Sequence, residues 1–186
     1  MVEPVGAPFD HVLAAAQAGA GWAAERIWGS LAPAVAGYLR SQGAAEPDDL
    51  TSEVFLGVFR SLGSFSGSEE QLRSWVFTIA HRRLVDARRA AGRRPQPAWG
   101  VEPDDGRPGP SAEHEALQQL SAERVRDLCD LLVPDQRDVL LLRLVGGLTV
   151  EDVAAALGKS EGAVKALQRR ALIALRKVVE LEGVPL

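Results

Sequence analysis

The sequence predicts an all-α protein, two small helical domains joined by a Pro/Gly-rich linker. Three observations carry that class. Apolar residues recur at helical spacing on both sides of the chain's centre. Ala and Leu dominate the apolar set while aromatics make up only 5%, which suits helices packed on helices better than strands. Residues 95–110 hold five of the eleven prolines and little periodicity, as a linker does. With 186 residues, 46% of them hydrophobic, there is core enough for two small domains. The division runs 1–94, linker 95–111, and 112–186.

In order, residues 9–19 and 22–41 are Ala-rich and periodic, with Gly43 closing the second helix. Asp48, Asp49, Thr51 and Glu53 open the third, whose apolar face is Val54, Phe55, Val58, Phe59 and Leu62. "GSFSGS", 63–68, breaks it. A long helix from about Glu70 to Ala91 follows. Its expected stripe is Leu72, Trp75, Val76, Ile79, Ala80, Leu84 and Ala87, and Gly92 and Pro95 end it. In the second half "SAERVRDLCDLL" reads as one helix. Pro134 and Asp135 suit the first turn of the next, which stops at Gly146-Gly147. Thr149 and Asp152 make a capping-box-like pair before a short helix that ends at Gly158. Ser160 caps the last helix, from Glu161 to about Leu181.

Charge is distributed unevenly. The chain carries a formal net charge of -4. Yet "HRRLVDARRAAGRR", 81–94, sets six arginines against one carboxylate, Asp86, so the remainder is distinctly acidic. A pI near 5.4 argues against nonspecific coating of nucleic acid. It leaves room for a local DNA-binding face, because charges are screened beyond about 8–10 Å. A solvated helix end would need fewer cations than this.

"LTVEDVAAALGKSEGAVKALQRRALIALRK" has the form of a helix-turn-helix, with the turn at Gly158-Lys159-Ser160. Its second helix should bury Val164, Leu167, Ala171 and Leu175 and present Glu161, Lys165, Gln168, Arg169 and Arg176. Such a helix can enter a major groove, where Lys and Arg reach guanine or phosphate and Gln reaches adenine. The plainer alternative is a helical hairpin with solvated charges.

"EPDDLTSEVFLGVFRSLGSF" with "LRSWVFTIAHRRLVDARR", and then "LVPDQRDVLLLRLVGGLTVEDVAAALGKSEGAVKALQRRAL", resemble regions 2 and 4 of the extracytoplasmic-function group of bacterial sigma-70-family factors. The resemblance covers about residues 22–94 and 120–180. It implies a region 2 bundle and a region 4 helix-turn-helix. It also implies partners: core RNA polymerase, through its β′ clamp helices and β flap, promoter DNA, and an anti-sigma factor. Asp48, Asp49, Leu50, Glu53 and Phe55 fall where the family docks on the polymerase, with Ser52 standing where Gln is usual. Ser64, Phe65, Ser66, His81, Arg82, Arg83, Asp86, Arg88 and Arg89 fall on the −10 element reader, where a separated base needs a stacking surface and a cationic track. Phe65 could stack on a base or anchor its loop. Arg82 replaces an Asn common in relatives. Arg88, Arg89, Arg93 and Arg94 suit phosphates. Ser160, Glu161, Gly162, Lys165, Gln168 and Arg169 fall on the −35 reader, and Ala166-Leu167 replaces a Ser-Arg pair. Leu172 is a further candidate contact.

No catalytic residues, cofactor or metal site are expected. His11, His81 and His114 lack ligand spacing, and no phosphate loop or nucleophile elbow occurs. The lone Cys129 lies in an apolar helix and excludes an internal disulfide, in keeping with a cytoplasmic protein. The N-terminus lacks a signal-peptide pattern and no run reaches the roughly 18–20 apolar residues of a span. Membrane association is therefore expected only through an anti-sigma factor. The alternative function is a sigma-like mimic that sequesters an anti-sigma factor without binding DNA. A dimeric helix-turn-helix repressor is a third reading.

Overall fold

The computed structural model describes residues 7–91 and 127–181, with side chains described as far as Lys177. Arg93, Arg94, the linker with Trp99, His114 and the proposed boundaries at 94/95 and 111/112 lie outside the described residues. So does the expected helix from 121 up to residue 126; residues 127–130 are helical. All regular structure among the described residues is helical.

The first half contains α1 (Phe9–Gln17), α2 (Gly21–Ser41), α3 (Pro47–Ser61), a 3₁₀ turn (Leu62–Ser64) and α4 (Glu69–Ala91). Pro47 starts α3 at a position where its missing N–H costs nothing, and Asp48 and Asp49 follow in the first turn. α4 starts one residue earlier than expected because of a capping box the sequence reading missed. Gln71 N–H donates to Ser68 Oγ at 3.3 Å and Ser68 N–H donates to Gln71 Oε1 at 2.8 Å.

Helices α1 to α4 pack in sequence, α1 on α2, α2 on α3 and α3 on α4, with α2 also touching α4. Tyr38, Leu39, Val54, Val58, Val76 and Phe77 are fully buried between them. Complete burial of side chains of this size contributes about 1.5–3 kcal/mol each. Ion pairs such as Arg40–Asp48, at 3.1 Å with both partners well exposed, contribute about 0–1 kcal/mol. Apolar burial therefore decides the fold.

The buried face of α4 differs from the expected one. Leu72, Val76, Ala80 and Leu84 are inside as expected, but the flank that completes the stripe is Phe77 and His81. Trp75 and Ile79 are half-buried and Ala87 is exposed. His81 is therefore a core residue and not the −10 contact expected of it. It sits one turn after Phe77 on the same face. Its Nδ1 lies 2.9 Å from Tyr38 Oη. Gln42 Nε2 donates to the same phenol oxygen at 3.4 Å.

The second half contains α5 (Pro134–Leu144), α6 (Val150–Leu157) and α7 (Glu161–Leu181). Cys129 is buried as expected, and burial raises its thiol pKa, with Arg137 opposing. Arg137 ties the residues before α5 to it, donating to Cys129 O at 2.8 Å and pairing with Asp130 at 2.9 Å.

The halves meet along a joint, α2 against α5 and α4 against α6, and share one apolar cluster that includes Phe77, Leu142, Leu148 and Val153. Gly146 allows the close approach: a Cβ there would lie 3.2 Å from Phe77 Cδ1 and 2.5 Å from Leu142 O. Arg73 caps the C-terminus of α5. It donates Nε to Gly146 O and Nη2 to Val145 O at 3.0 Å, answering carbonyls that a helix end leaves without partners. The same guanidinium lies 5.3 Å from the Phe77 ring centroid. Gln42 Nε2 donates to Asp138 Oδ1 at 2.8 Å, and Arg88 holds Gln42 through its carbonyl and, at 2.9 Å, its Oε1.

Candidate nucleic-acid interface

Each half presents a cationic helix face. In the second half, the local sequence builds α6 and α7 to a fixed angle. Thr149 and Asp152 form a full capping box, with Asp152 N–H to Thr149 Oγ1 at 3.1 Å and Thr149 N–H to Asp152 Oδ2 at 3.2 Å. Partial burial pushes the Asp152 carboxyl up, but hydrogen bonds from Thr149, Ser74 and the Thr149 N–H outweigh it and hold the pKa low. Gly158 ends α6 at φ 62°, a left-handed conformation that Gly adopts without a steric cost. Ser160 Oγ then accepts the Ala163 N–H at 3.2 Å and starts α7.

Val164 and Ala171 are buried beneath α7, while Leu167 and Leu175 are half-buried. Glu161, Gly162, Lys165 and Arg169 are exposed and Gln168 is half-buried beside them. Lys165 Nζ pairs with Glu161 at 3.1 Å, both well exposed. Such a pair is worth little, so Lys165 can exchange it for a phosphate at small cost. Leu172 and Ile173 stand out among these polar groups, roughly half exposed.

In the first half, α4 exposes Arg82, Arg83, Asp86, Arg88 and Arg89. Arg89 lies 3.8 Å from Asp86. Arg88 donates to Gln42 on α2. The loop before α4 is anchored from α1, where Gln17 Nε2 donates to Leu62 O at 3.0 Å and Phe65 O at 2.8 Å. Ser64 and Ser66 are exposed. Phe65 is half-buried, its ring stacked on Trp75 at 5.2 Å and 24°. Both rings pack against the core as partly buried residues, so Phe65 anchors its loop.

The acidic patch on α3 is only partly surface. Asp48, Asp49, Ser52 and Glu53 are exposed, but Leu50 and Phe55 are inside the bundle. These two were expected to dock on a partner. They instead set the roll of α3, because they share the face of Val54 and Val58. The apolar residue the patch does expose is Leu56, at 56%; on α2, Trp28 is 40% exposed, its ring 4.6 Å from that of Phe55. Sequence reasoning missed both. Leu56 was detectable as the residue outside the apolar stripe of α3.

Asp49 and Glu53 also face Arg83, Asp86 and Arg88 across a groove of about 730 Å³. Among the described residues no group of three or more His, Cys, Asp or Glu could hold a metal ion. No described helix is long and apolar enough to cross a membrane.

Comparison with known proteins matches both halves. Residues 27–94 match the model of Sigma-70 region 2 and residues 130–177 that of Sigma-70 region 4. The ECF RNA polymerase sigma factor SigD of Mycobacterium tuberculosis (strain H37Rv) is 33% identical over 185 residues, 96% of this chain and 87% of SigD. ECF RNA polymerase sigma factor BldN of Streptomyces coelicolor is 33% identical over 166 residues, 88% of this chain and 63% of BldN's length. Among solved structures, CnrH in complex with the cytosolic domain of CnrY has a similar fold, with a TM-score of 0.66 and 23% identity over 92% of this chain and 96% of that one. RpoE of Bartonella quintana, in complex with the anti-sigma factor NepR, superposes with a TM-score of 0.62 and 20% identity over 84% of this chain and 96% of that one.

Proposed function

The chain belongs to the extracytoplasmic-function sigma factors of the sigma-70 family, and from that premise we propose that it binds core RNA polymerase, reads −35 and −10 promoter elements and promotes transcription initiation. The observation that carries this reading is the pair of cationic faces, α4 in region 2 and α7 in region 4, on one chain in that order.

In this reading Lys165, Gln168 and Arg169, with Ser160, Glu161 and Gly162 at the start of α7, meet the duplex at −35. Arg82, Arg83, Asp86, Arg88 and Arg89 track the backbone at −10, and Ser64, Phe65 and Ser66 meet the separated strand. The exposed polar residues Asp48, Asp49, Ser52 and Glu53, with Leu56, dock on the β′ clamp, while region 4 meets the β flap. Residues 1–94 and 112–186 act as the two binding units. The chain supplies no catalytic group; RNA synthesis belongs to the polymerase. It acts in the bacterial cytoplasm, and an anti-sigma factor, itself held at the membrane, is a further partner.

The test is runoff transcription with core polymerase on a promoter mapped after overexpression. A transcript that depends on the added chain is expected. A chain that does not co-elute with core polymerase overturns the reading.

A further inference from the structure

We propose that Leu172, with Ile173 beside it, reads thymine in the −35 element by packing on the 5-methyl group of the base. α7 then discriminates by apolar contact as well as through its polar side chains. The inference rests on the reading above, that α7 enters the duplex at −35.

Helix geometry puts Leu172 in the reading face. At about 3.6 residues per turn, Lys165, Gln168, Arg169, Leu172 and Arg176 fall within an arc of about 100°. That arc lies away from Val164 and Ala171, which are buried. The first four stand at i, i+3, i+4 and i+7, the spacing from which a helix laid along the major groove reads base edges. From Lys165 to Leu172 the axis advances about 10 Å. That is about three base-pair steps at 3.4 Å, so one short element holds both contacts.

The pair breaks the polarity of this face. Leu172 is 48% exposed and Ile173 51%. They line a shallow groove of about 380 Å³ together with Lys165, Gln168, Arg169 and Arg176. Charge selects the occupant. Lys165, Arg169 and Arg176 are exposed around the pair, and an apolar protein surface would have to desolvate them or bring a carboxylate to each. A duplex supplies phosphates on both walls of its groove as built. The major groove is about 12 Å wide and a helix about 10–12 Å across, so the cations reach the walls while the middle of the stripe meets the floor. On that floor thymine carries the one methyl group among the base edges. A G·C pair would instead set donors and acceptors against Leu172, which offers them no hydrogen bond.

The experiment uses holoenzyme assembled from core polymerase and the full chain, on duplex fragments of the mapped promoter. Each thymine of the −35 element is replaced in turn by uracil, which keeps every hydrogen-bonding group and lacks only the methyl. Burying one methyl is worth about fourfold in affinity, so at least one replacement should weaken wild-type binding about fourfold. The double variant Leu172→Ala, Ile173→Ala should bind the thymine and uracil promoters within about twofold of each other. Both side chains are half in solvent, so its melting should match wild type. Specific binding by wild type with no uracil effect at any position, or a −35 element with no A·T pair, overturns the inference and leaves the function reading standing; this arm needs no variant. A uracil effect that persists undiminished in the double variant also overturns it. A double variant that loses affinity for core polymerase and keeps the uracil effect marks the face as a protein-docking surface, which again overturns it. Absence of promoter-specific binding by the wild-type holoenzyme overturns the function reading, and this inference with it.

Discussion

Replacing His81 with Ala separates a core role from a DNA-contact role. His81 is 7% exposed, and its Nδ1 meets the Tyr38 phenol at 2.9 Å. Truncation leaves a cavity beside Phe77 and Leu84, which costs about 2–3 kcal/mol at a site this enclosed. It also removes the close hydrogen-bond partner of a buried hydroxyl, worth about 1–3 kcal/mol, of which the long contact from Gln42 returns part. The expected loss is about 3 kcal/mol. For a helical unit of this size each kcal/mol moves the midpoint by about 4–8 °C, so the thermal transition followed by circular dichroism should fall by about 12–24 °C.

The pH dependence follows from the same burial, which pushes the His81 imidazole below its ordinary value of 6.5; Arg88 acts in the same direction and Asp138 against it. A base whose pKa is depressed on folding binds protons more readily unfolded. The stability it contributes is present above about pH 6.5 and is lost as pH falls below that value. His81→Ala should remove this dependence along with the stability. Promoter affinity, measured where the variant is still folded, should keep its salt dependence. A variant that melts within about 2 °C of wild type but loses about 0.7 from its salt slope would show that His81 is a phosphate contact and refute the core assignment.

Other expectations follow from the exposed faces and the caps. Neutralising Arg82, Arg83 and Arg89 to Gln should reduce the salt slope of promoter binding by about 2, near 0.7 per phosphate contact on a single strand, with little change in the melting midpoint. Thr149→Ala removes the hydroxyl from the α6 capping box and should cost about 1 kcal/mol in denaturant unfolding. A change below about 0.3 kcal/mol would mean the box does not hold α6. Leu56→Arg places a charge on the exposed apolar residue of α3 and should weaken core-polymerase binding at least about tenfold while leaving stability within about 0.5 kcal/mol. Equal affinity would move the docking surface off this face.

Much of the fold was legible because helix signals are local. Asp48, Asp49, Pro134, Thr149, Gly158 and Ser160 act through their own backbone or that of the next turn, and the structure places each where its chemistry predicts. The candidate sites were less legible. In α4 the series Leu72, Val76, Ala80, Leu84 has two flanks, and both offer apolar or aromatic residues. Trp75 and Ile79 lie on one, Phe77 on the other. Periodicity cannot rank them, since either completes a stripe of acceptable width. Tyr38 on α2, Gly146 after α5 and the α5 carbonyls that Arg73 caps select the Phe77 side, and all lie far away in sequence. That choice takes His81 inside and leaves Trp75 to stack on Phe65. On α3, in the same way, membership in a family motif does not distinguish a residue that touches a partner from one that orients the helix. Leu50 and Phe55 are the second kind.

The sequence by itself determined the helices, their caps, the two-part organisation and the concentration of arginines on one segment. Each of these follows from neighbours within a few residues or from composition. Only the tertiary structure decided which arginines stand in solvent, that Arg73 and Arg88 are drawn into a joint, and that a histidine in a basic run is a core residue. The physical reason is that these outcomes depend on partners about forty to seventy residues away. A polar side chain settles in the interior only when such a partner satisfies it.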